Sequence, residues 1–254
     1  MIESREEDDL AAFVAARGEL TALAYRMLGD GQRAEDVVQE AWLRWRGREE
    51  AEIRAPRAFL ITVVTRLCLN ELDSARARRE ESRADRLPEP LDLAEAGIDP
   101  LETRELVTMA FLVVLAELAP AERAVLLLHD VFDFAHDDIA PLVGKSPAAC
   151  RKALERARKK VASARHAAAT PREEHHRLLE GFVRAFSAGD VPALVELLAK
   201  DAVLVTDGGP SGRREAGLRN LKKPLHGAVR VAAFVAATAR AGAVEIERRD
   251  LNGL

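Results

Sequence analysis

The stretch from His136 to Val161, HDDIAPLVGKSPAACRKALERARKKV, constrains the fold more than any other part of the chain. Its spacing predicts a short amphipathic helix with Ile139, Ala140 and Leu142 inward, broken by Gly144 in a turn. Ser146 stands where a helix N-cap is needed. Pro147 follows at the first helical position, where a missing N–H costs nothing. In the second helix Cys150, Leu154, Ala157 and Val161 recur at helical spacing and are expected to face a core. The other face carries Arg151, Lys152, Arg156, Arg158, Lys159 and Lys160. A helix that is apolar on one side, cationic on the other and entered through a tight glycine turn has the layout of a helix-turn-helix, suited to a DNA major groove. A solvated basic helix in an all-α protein is the competing reading of this segment taken alone.

The remaining sequence has to supply the core on which such a motif rests. Ala, Leu, Arg and Glu dominate and aromatics make up only 4%, a mixture that favours helices. A chain of 254 residues has room for two or three modest domains, and 48% hydrophobic with 31% charged residues describes a globular protein. No run approaches the roughly 18–20 apolar residues of a membrane span, and the acidic start MIESREEDD does not read as a signal peptide. The expectation is a cytoplasmic protein with no membrane partner. Cys68 and Cys150 lack metal-ligand spacing and are read as small core residues, so neither a metal nor a cofactor is expected. Net charge is −4, although Arg76–Arg86 and Lys145–Arg165 are basic or mixed. That balance fits a protein guided to DNA by something else better than one that finds its site unaided.

Residues 1–80 read as a first helical unit. Leu10, Phe13 and Val14, then Leu20, Leu23, Ala24 and Met27, mark two amphipathic stretches. After Gly29-Asp30-Gly31, AEDVVQEAWLRWRGR places Val37, Val38, Ala41, Trp42 and Trp45 inward. Pro56 opens a long helix with Phe59, Val63, Leu67 and Leu72 on its apolar face; Arg66, Asn70, Asp73, Arg76 and Arg79 fall largely outside it. Residues 81–101 form an acidic, proline-rich linker, and residues 102–166 a second unit that runs from the apolar helix ELVTMAFLVVLAEL to the helix-turn-helix. Beyond a hinge at Ala168–Pro171 the texture changes. Residues 171–254 read as helix, Gly-Asp turn, helix, a β run at Val203–Thr206, the helix RVAAFVAATARAG and a strand-like AVEIERRDLNGL. The fold class is therefore mainly α, with an α+β third unit.

Three strings taken in order, AEDVVQEAWLRW, NELDSARARR and SPAACRKALERARKKV, resemble bacterial extracytoplasmic-function (ECF) sigma factors. LPEPL at Leu87–Leu91, the SPAACR start of the second helix and VTDGGPSGR at Val205–Arg213 are similar to the SigJ-like subgroup, whose C-terminal unit is a SnoaL-like (NTF2-type) domain. Two details depart from that pattern: Pro210 and Ser211 interrupt the glycine run, and Arg86 stands where a bulky residue often precedes the Leu-Pro pair. The chain stops at LNGL, just where the final strands of such a domain begin, so its sheet is expected to be incomplete, with an exposed edge.

The resemblance implies a factor that binds core RNA polymerase and promoter DNA. Asp36, Gln39 and Glu40, beside an inward Trp42, are then the polymerase-binding residues, since carboxylates on a rigid helix orient as well as attract a basic partner. The minus-ten element falls to Arg66, Asn70, Arg76 and Arg79, with the loop Arg48–Ala55 before their helix. For the minus-thirty-five element, Ala148 and Ala149 permit close approach and Arg151 and Lys152 reach base edges or phosphates. Lys145, Arg156 and Lys159 hold backbone. The linker is expected either to run along polymerase or to be a solvated spacer. An intramolecular contact is expected between Leu87 and Pro88 and the loop of Asp207, Gly208 and Gly209, with the third unit as regulator. His129 and His136 read as structural. The rival function is a small-molecule-sensing or enzymatic SnoaL-like protein fused to a helix-turn-helix, whose only candidates are Asp201, Asp207, His226 and the His175–His176 pair.

Overall fold

The structure, a computed structural model, describes residues 2–47, 53–77, 87–93, 95–98, 109–168, 172–206, 221 and 224–240. Those residues fall into two compact units, one of residues 2–168 apart from Leu87, the other of residues 172–240 together with Leu87. Helix α1 (Ile2–Leu28) is continuous where the sequence suggested two stretches, because a lone Gly18 costs a helix only about 1 kcal/mol. Phe13, Ala16, Leu20 and Leu23 point inward, whereas Leu10 and Val14, expected inside, are 50% and 60% exposed. From Leu20 to Leu28 every residue is buried, Thr21 and Arg26 included, since neighbouring elements surround the last turns of α1 on all sides.

Asp30 caps α2 (Gly31–Arg46), its carboxylate accepting from the Arg33 amide at 3.0 Å. Val37, Val38, Ala41 and Trp45 are buried on α1 and α3, and the Trp45 indole N–H donates to the Asp9 carbonyl at 3.0 Å. Trp42 is only half-buried, at the margin of the α1–α2 contact. Its ring is tilted against Phe13 at 4.8 Å, and the Arg46 guanidinium lies 5.8 Å from its centroid. In α3 (Pro56–Ala77) the sealed stripe is Leu60, Ile61, Val64, Thr65 and Cys68; Phe59, Val63, Leu67 and Leu72, the expected apolar face, form its half-buried flank. The face is broader than expected because α3 packs on α1 and also on two helices of the helix-turn-helix region.

The described part of the linker, residues 88–93 and 95–98, is seated on the first helices and is not a solvated spacer. Glu89 N–H donates to Gly29 O at 2.9 Å, and the Tyr25 hydroxyl donates to Glu89 O at 2.5 Å. Pro88 lies on Gly29, Leu93 and Ile98 are buried, and the Gly97 carbonyl sits directly over Gly18 of α1. Apolar side chains among the acidic ones give this segment a seat that its prolines and carboxylates alone did not advertise.

Four helices follow: α4 (Met109–Ala116), α5 (Pro120–Asp130), α6 (His136–Val143) and α7 (Pro147–Ala168). Phe111, Leu112 and Leu115 of α4 and Ala124 to Leu128 of α5 are buried against α7 and the first helices. Arg123 reaches across from α5, donating to Met27 O in the last turn of α1 and to Leu118 O at 3.4 Å. Burial pulls this guanidinium's pKa down to about 10. One core runs without a break from Phe13 to Val161, so the first two helical modules are packed as a single body.

The second unit contains α8 (Arg172–Ala188), α9 (Val191–Leu197), β1 (Val203–Leu204), β2 (Leu225–His226) and α10 (Ala228–Arg240). The strands pair antiparallel, with Val203 opposite His226 and Leu204 opposite Leu225. Ala185, Leu194, Ala232 and Ala236 make a small core flanked by Phe182, Val191, Leu197 and Val235. The Asp207–Gly209 loop and the strand expected at AVEIERRDLNGL lie outside the described residues. Among the described residues no helix is long and apolar enough to cross a membrane.

Candidate nucleic-acid interface

The helix-turn-helix follows the sequence closely. Ile139 and Ala140 of α6 are buried, and Gly144 ends that helix at φ +63°, a left-handed conformation that costs glycine little. The Lys145 amide returns to Ala140 O at 3.0 Å, which fixes the turn. Ser146 Oγ then accepts from the Ala149 amide at 3.2 Å, starting α7 at Pro147. Cys150, Ala153, Leu154, Ala157 and Val161 are all buried, so the opposite face of α7 has to look outward.

Charge on that outward face is divided along the helix. Lys145, Arg151 and Lys152 are exposed and have no carboxylate partner among the described residues. Ala148 is exposed and Ala149 half-buried, leaving the backbone approachable between them. Farther along, Arg156 binds Glu122 through two nitrogens at 2.9 and 2.7 Å, and Arg158 binds Asp130 at 3.0 and 2.6 Å. Lys159 pairs with Glu155 at 2.8 Å. Hydrogen bonding to Asp130 raises the Arg158 pKa, and the Lys159 ammonium lowers that of Glu155. Unneutralised charge is thus concentrated at the start of α7, the part of a recognition helix that reaches base edges. No sequence signal pointed to Glu122 or Asp130 as the acids that quiet its second half.

On the outer side of α3, Arg66 and Asn70 are exposed, as expected. Arg76 lies in the last turn of α3, and its side chain, like all of Arg79, falls outside the described residues. On α2, Asp36 and Gln39 are exposed and Glu40 is half-buried, joined to Arg44 at 3.0 Å; Gln32 donates to Asp36 at 3.4 Å. Leu43, 56% exposed and three to four residues after Gln39 and Glu40, continues the same face with an apolar contact that charge reasoning overlooked. Pro88 is buried and Leu87 half-buried; Asp207, Gly208 and Gly209 cannot be placed, since they lie outside the described residues. Of the enzymatic candidates, Asp201 and His226 are exposed and His176 is half-buried.

Comparison with known proteins agrees with this geometry. The Sigma-70 region 2 family model matches residues 13–78, which span most of α1 through α3, and the Sigma-70, region 4 model matches residues 108–161. The probable ECF RNA polymerase sigma factor SigI of Mycobacterium tuberculosis is 36% identical over 198 residues, covering 77% of this chain and 68% of that protein. The ECF RNA polymerase sigma factor SigJ of the same species is 38% identical over 203 residues, or 78% of this chain and 65% of that one. The chain therefore spans about two thirds of the length of these relatives. The crystal structure of the Mycobacterium tuberculosis extracytoplasmic function sigma factor SigJ superposes with a TM-score of 0.67 at 31% identity, covering 91% of this chain and 76% of that one. With sigma-70 regions 2 and 4 matched in order, and an ECF relative 36% identical of which the chain covers 68%, the chain belongs to the ECF sigma factors.

Proposed function

We propose that the chain docks on core RNA polymerase through Asp36, Gln39 and Glu40 of α2 and directs it to promoters with α3 and α7. In this reading Arg66, Asn70, Arg76 and Arg79 serve the minus-ten element. Lys145, Ala148, Ala149, Arg151 and Lys152 meet the minus-thirty-five duplex, with Arg156 and Lys159 on its backbone. One observation carries it: the acidic face of α2 and the cations opening α7, which have no carboxylate partner among the described residues, are at the surface, while the other faces of the same helices are buried. Arg156 and Lys159 reach phosphates only by leaving Glu122 and Glu155. Surface pairs of this kind are worth about 0–1 kcal/mol, so the exchange costs little. Membership of the family makes the chain a transcription factor rather than an enzyme.

The C-terminal unit is, in the same reading, a SnoaL-like regulatory domain that contacts the linker through Leu87 and Pro88 on one side and Asp207, Gly208 and Gly209 on the other. Support comes from the extent of the SigJ superposition, which covers 91% of the chain and so reaches well past residue 161. A tethered domain needs only weak contacts, because its effective concentration is in the millimolar range. Retention of core polymerase on the immobilised chain, followed by run-off transcription from a library of genomic fragments, tests the function. Asp36→Lys should abolish retention; a wild-type chain that retains no polymerase refutes the proposal. A Leu87→Ala/Asp207→Ala cycle read as transcription tests the regulatory contact, and strictly additive effects refute it.

A further inference from the structure

Beside the first turns of α7 two imidazoles lie face to face. The rings of His129, at the end of α5, and His136, at the start of α6, stack with centroids 4.5 Å apart and planes 18° from parallel. His129 Nδ1 is 2.9 Å from the Phe134 carbonyl, which only accepts, so Nδ1 carries the hydrogen and the neutral ring keeps Nε2 bare. His136 Nδ1 is buried and has no hydrogen-bond partner among the described residues. The pair lines a cleft of about 480 Å³ whose other walls are Arg151, Leu154, Glu155, Arg158, Lys159 and Ala162 of α7. A histidine kept only for packing satisfies its buried nitrogens; His136 does not among the described residues, and the cleft it lines sets Arg151, Arg158 and Lys159 against the one carboxylate of Glu155, a balance that suits an anion.

We propose that this cleft seats a phosphate of the promoter backbone, held jointly by Arg151 and by the imidazole of His136. The inference rests on the DNA-binding role of α7 proposed above. A helix-turn-helix with its second helix in the groove lays its first helix across the sugar-phosphate chain, and His136, which lines the cleft together with α7, is the first residue of that first helix. Arg151 has no carboxylate partner among the described residues, whereas Arg158 and Lys159 are occupied by Asp130 and Glu155.

The seat is also proton-linked. Burial lowers the His136 pKa below its ordinary value, and His129, Arg151 and Arg158 act in the same direction; Asp137 alone opposes them. Asp130 and Glu155 are already engaged, while Asp133 and Asp138 are exposed carboxylates of the adjoining loop and helix. His136 is therefore neutral near pH 7 in the free chain. An incoming phosphate reverses the local sign and draws a proton onto it. DNA affinity should rise as pH falls, by no more than about tenfold per pH unit for one linked proton.

Imidazole NMR titration of the full chain tests this, with and without a 30-base-pair duplex of arbitrary sequence at low salt, resonances being assigned with His136→Gln. The expected result is a His136 midpoint that moves up when the duplex also shifts the Arg151 and Lys152 amides. His136→Arg should bind duplex without pH dependence, and the Gln variant should lose the pH dependence along with some affinity. If those amides shift while the His136 midpoint stays, the cleft proposal fails and the DNA reading stands. If neither responds, both fail. A midpoint moved equally by millimolar inorganic phosphate marks a site for an adventitious ion only and overturns the backbone assignment.

Discussion

Gly18→Ala separates helix propensity from the seating of the linker. In the interior of α1, alanine would ordinarily stabilise by about 1 kcal/mol. Here an added Cβ would stand 2.6 Å from the Gly97 carbonyl oxygen, and reaching the 3.4 Å of ordinary contact requires roughly 0.8 Å of movement between two backbones. The loop resists, because Leu93 and Ile98 are buried and the Ile98 amide is bonded to Leu93 O at 2.8 Å. Overpacking of this kind costs about 1–3 kcal/mol. The net effect is a loss centred near 1 kcal/mol, or about 2–4 °C in Tm for a chain of this size. Complete unseating, which would expose Leu93 and Ile98, sets an upper bound of about 3–6 kcal/mol. Gly181→Ala is the control: its Cβ would meet only Leu197 methyl groups at 3.4 and 3.6 Å, so it should gain close to the full propensity term. Thermal unfolding followed by circular dichroism measures both. A Gly18→Ala chain as stable as wild type, or more so, refutes the close approach of the linker to α1.

Other outcomes follow from the same contacts. Glu122→Gln should cost under about 1 kcal/mol of stability yet free Arg156, steepening the salt dependence of duplex binding by up to about 0.9 in log–log slope; an unchanged slope would mean that Arg156 lies away from the DNA. Ser146→Ala removes the α7 cap and should cost about 1 kcal/mol, with faster hydrogen exchange at the Ala149 amide as its local mark. Cys68 is fully buried with its thiol pKa pushed far up by desolvation, and Cys150 is raised for the same reason. Neither should react with a chromogenic disulfide reagent at pH 8 until the chain is unfolded, when both should.

The helix-turn-helix was legible in the sequence because each of its signals is local: Ile139 and Ala140, Gly144, Ser146 and the Cys150–Val161 stripe all act within a turn or two of themselves. Burial set by distant neighbours was not. Leu10 and Val14 match an apolar stripe, yet they are half exposed or more; Arg26 and Arg123 look like surface charges and are enclosed. Linker composition suggested solvation, and only its fit against Gly18, Tyr25 and Gly29 shows otherwise. On α7 the cations were readable, but their division into a half with carboxylate partners and a half without any among the described residues depends on Glu122 and Asp130, acids brought to α7 by folding.

The unbroken core from Phe13 to Val161 makes the outer faces of α2 and α7 thermodynamically one object. A ligand that grips α2 protects α7 from melting, and a lesion beneath α7 loosens α2, with no signal needing to pass between them. Heat or denaturant should therefore melt both helices at one midpoint.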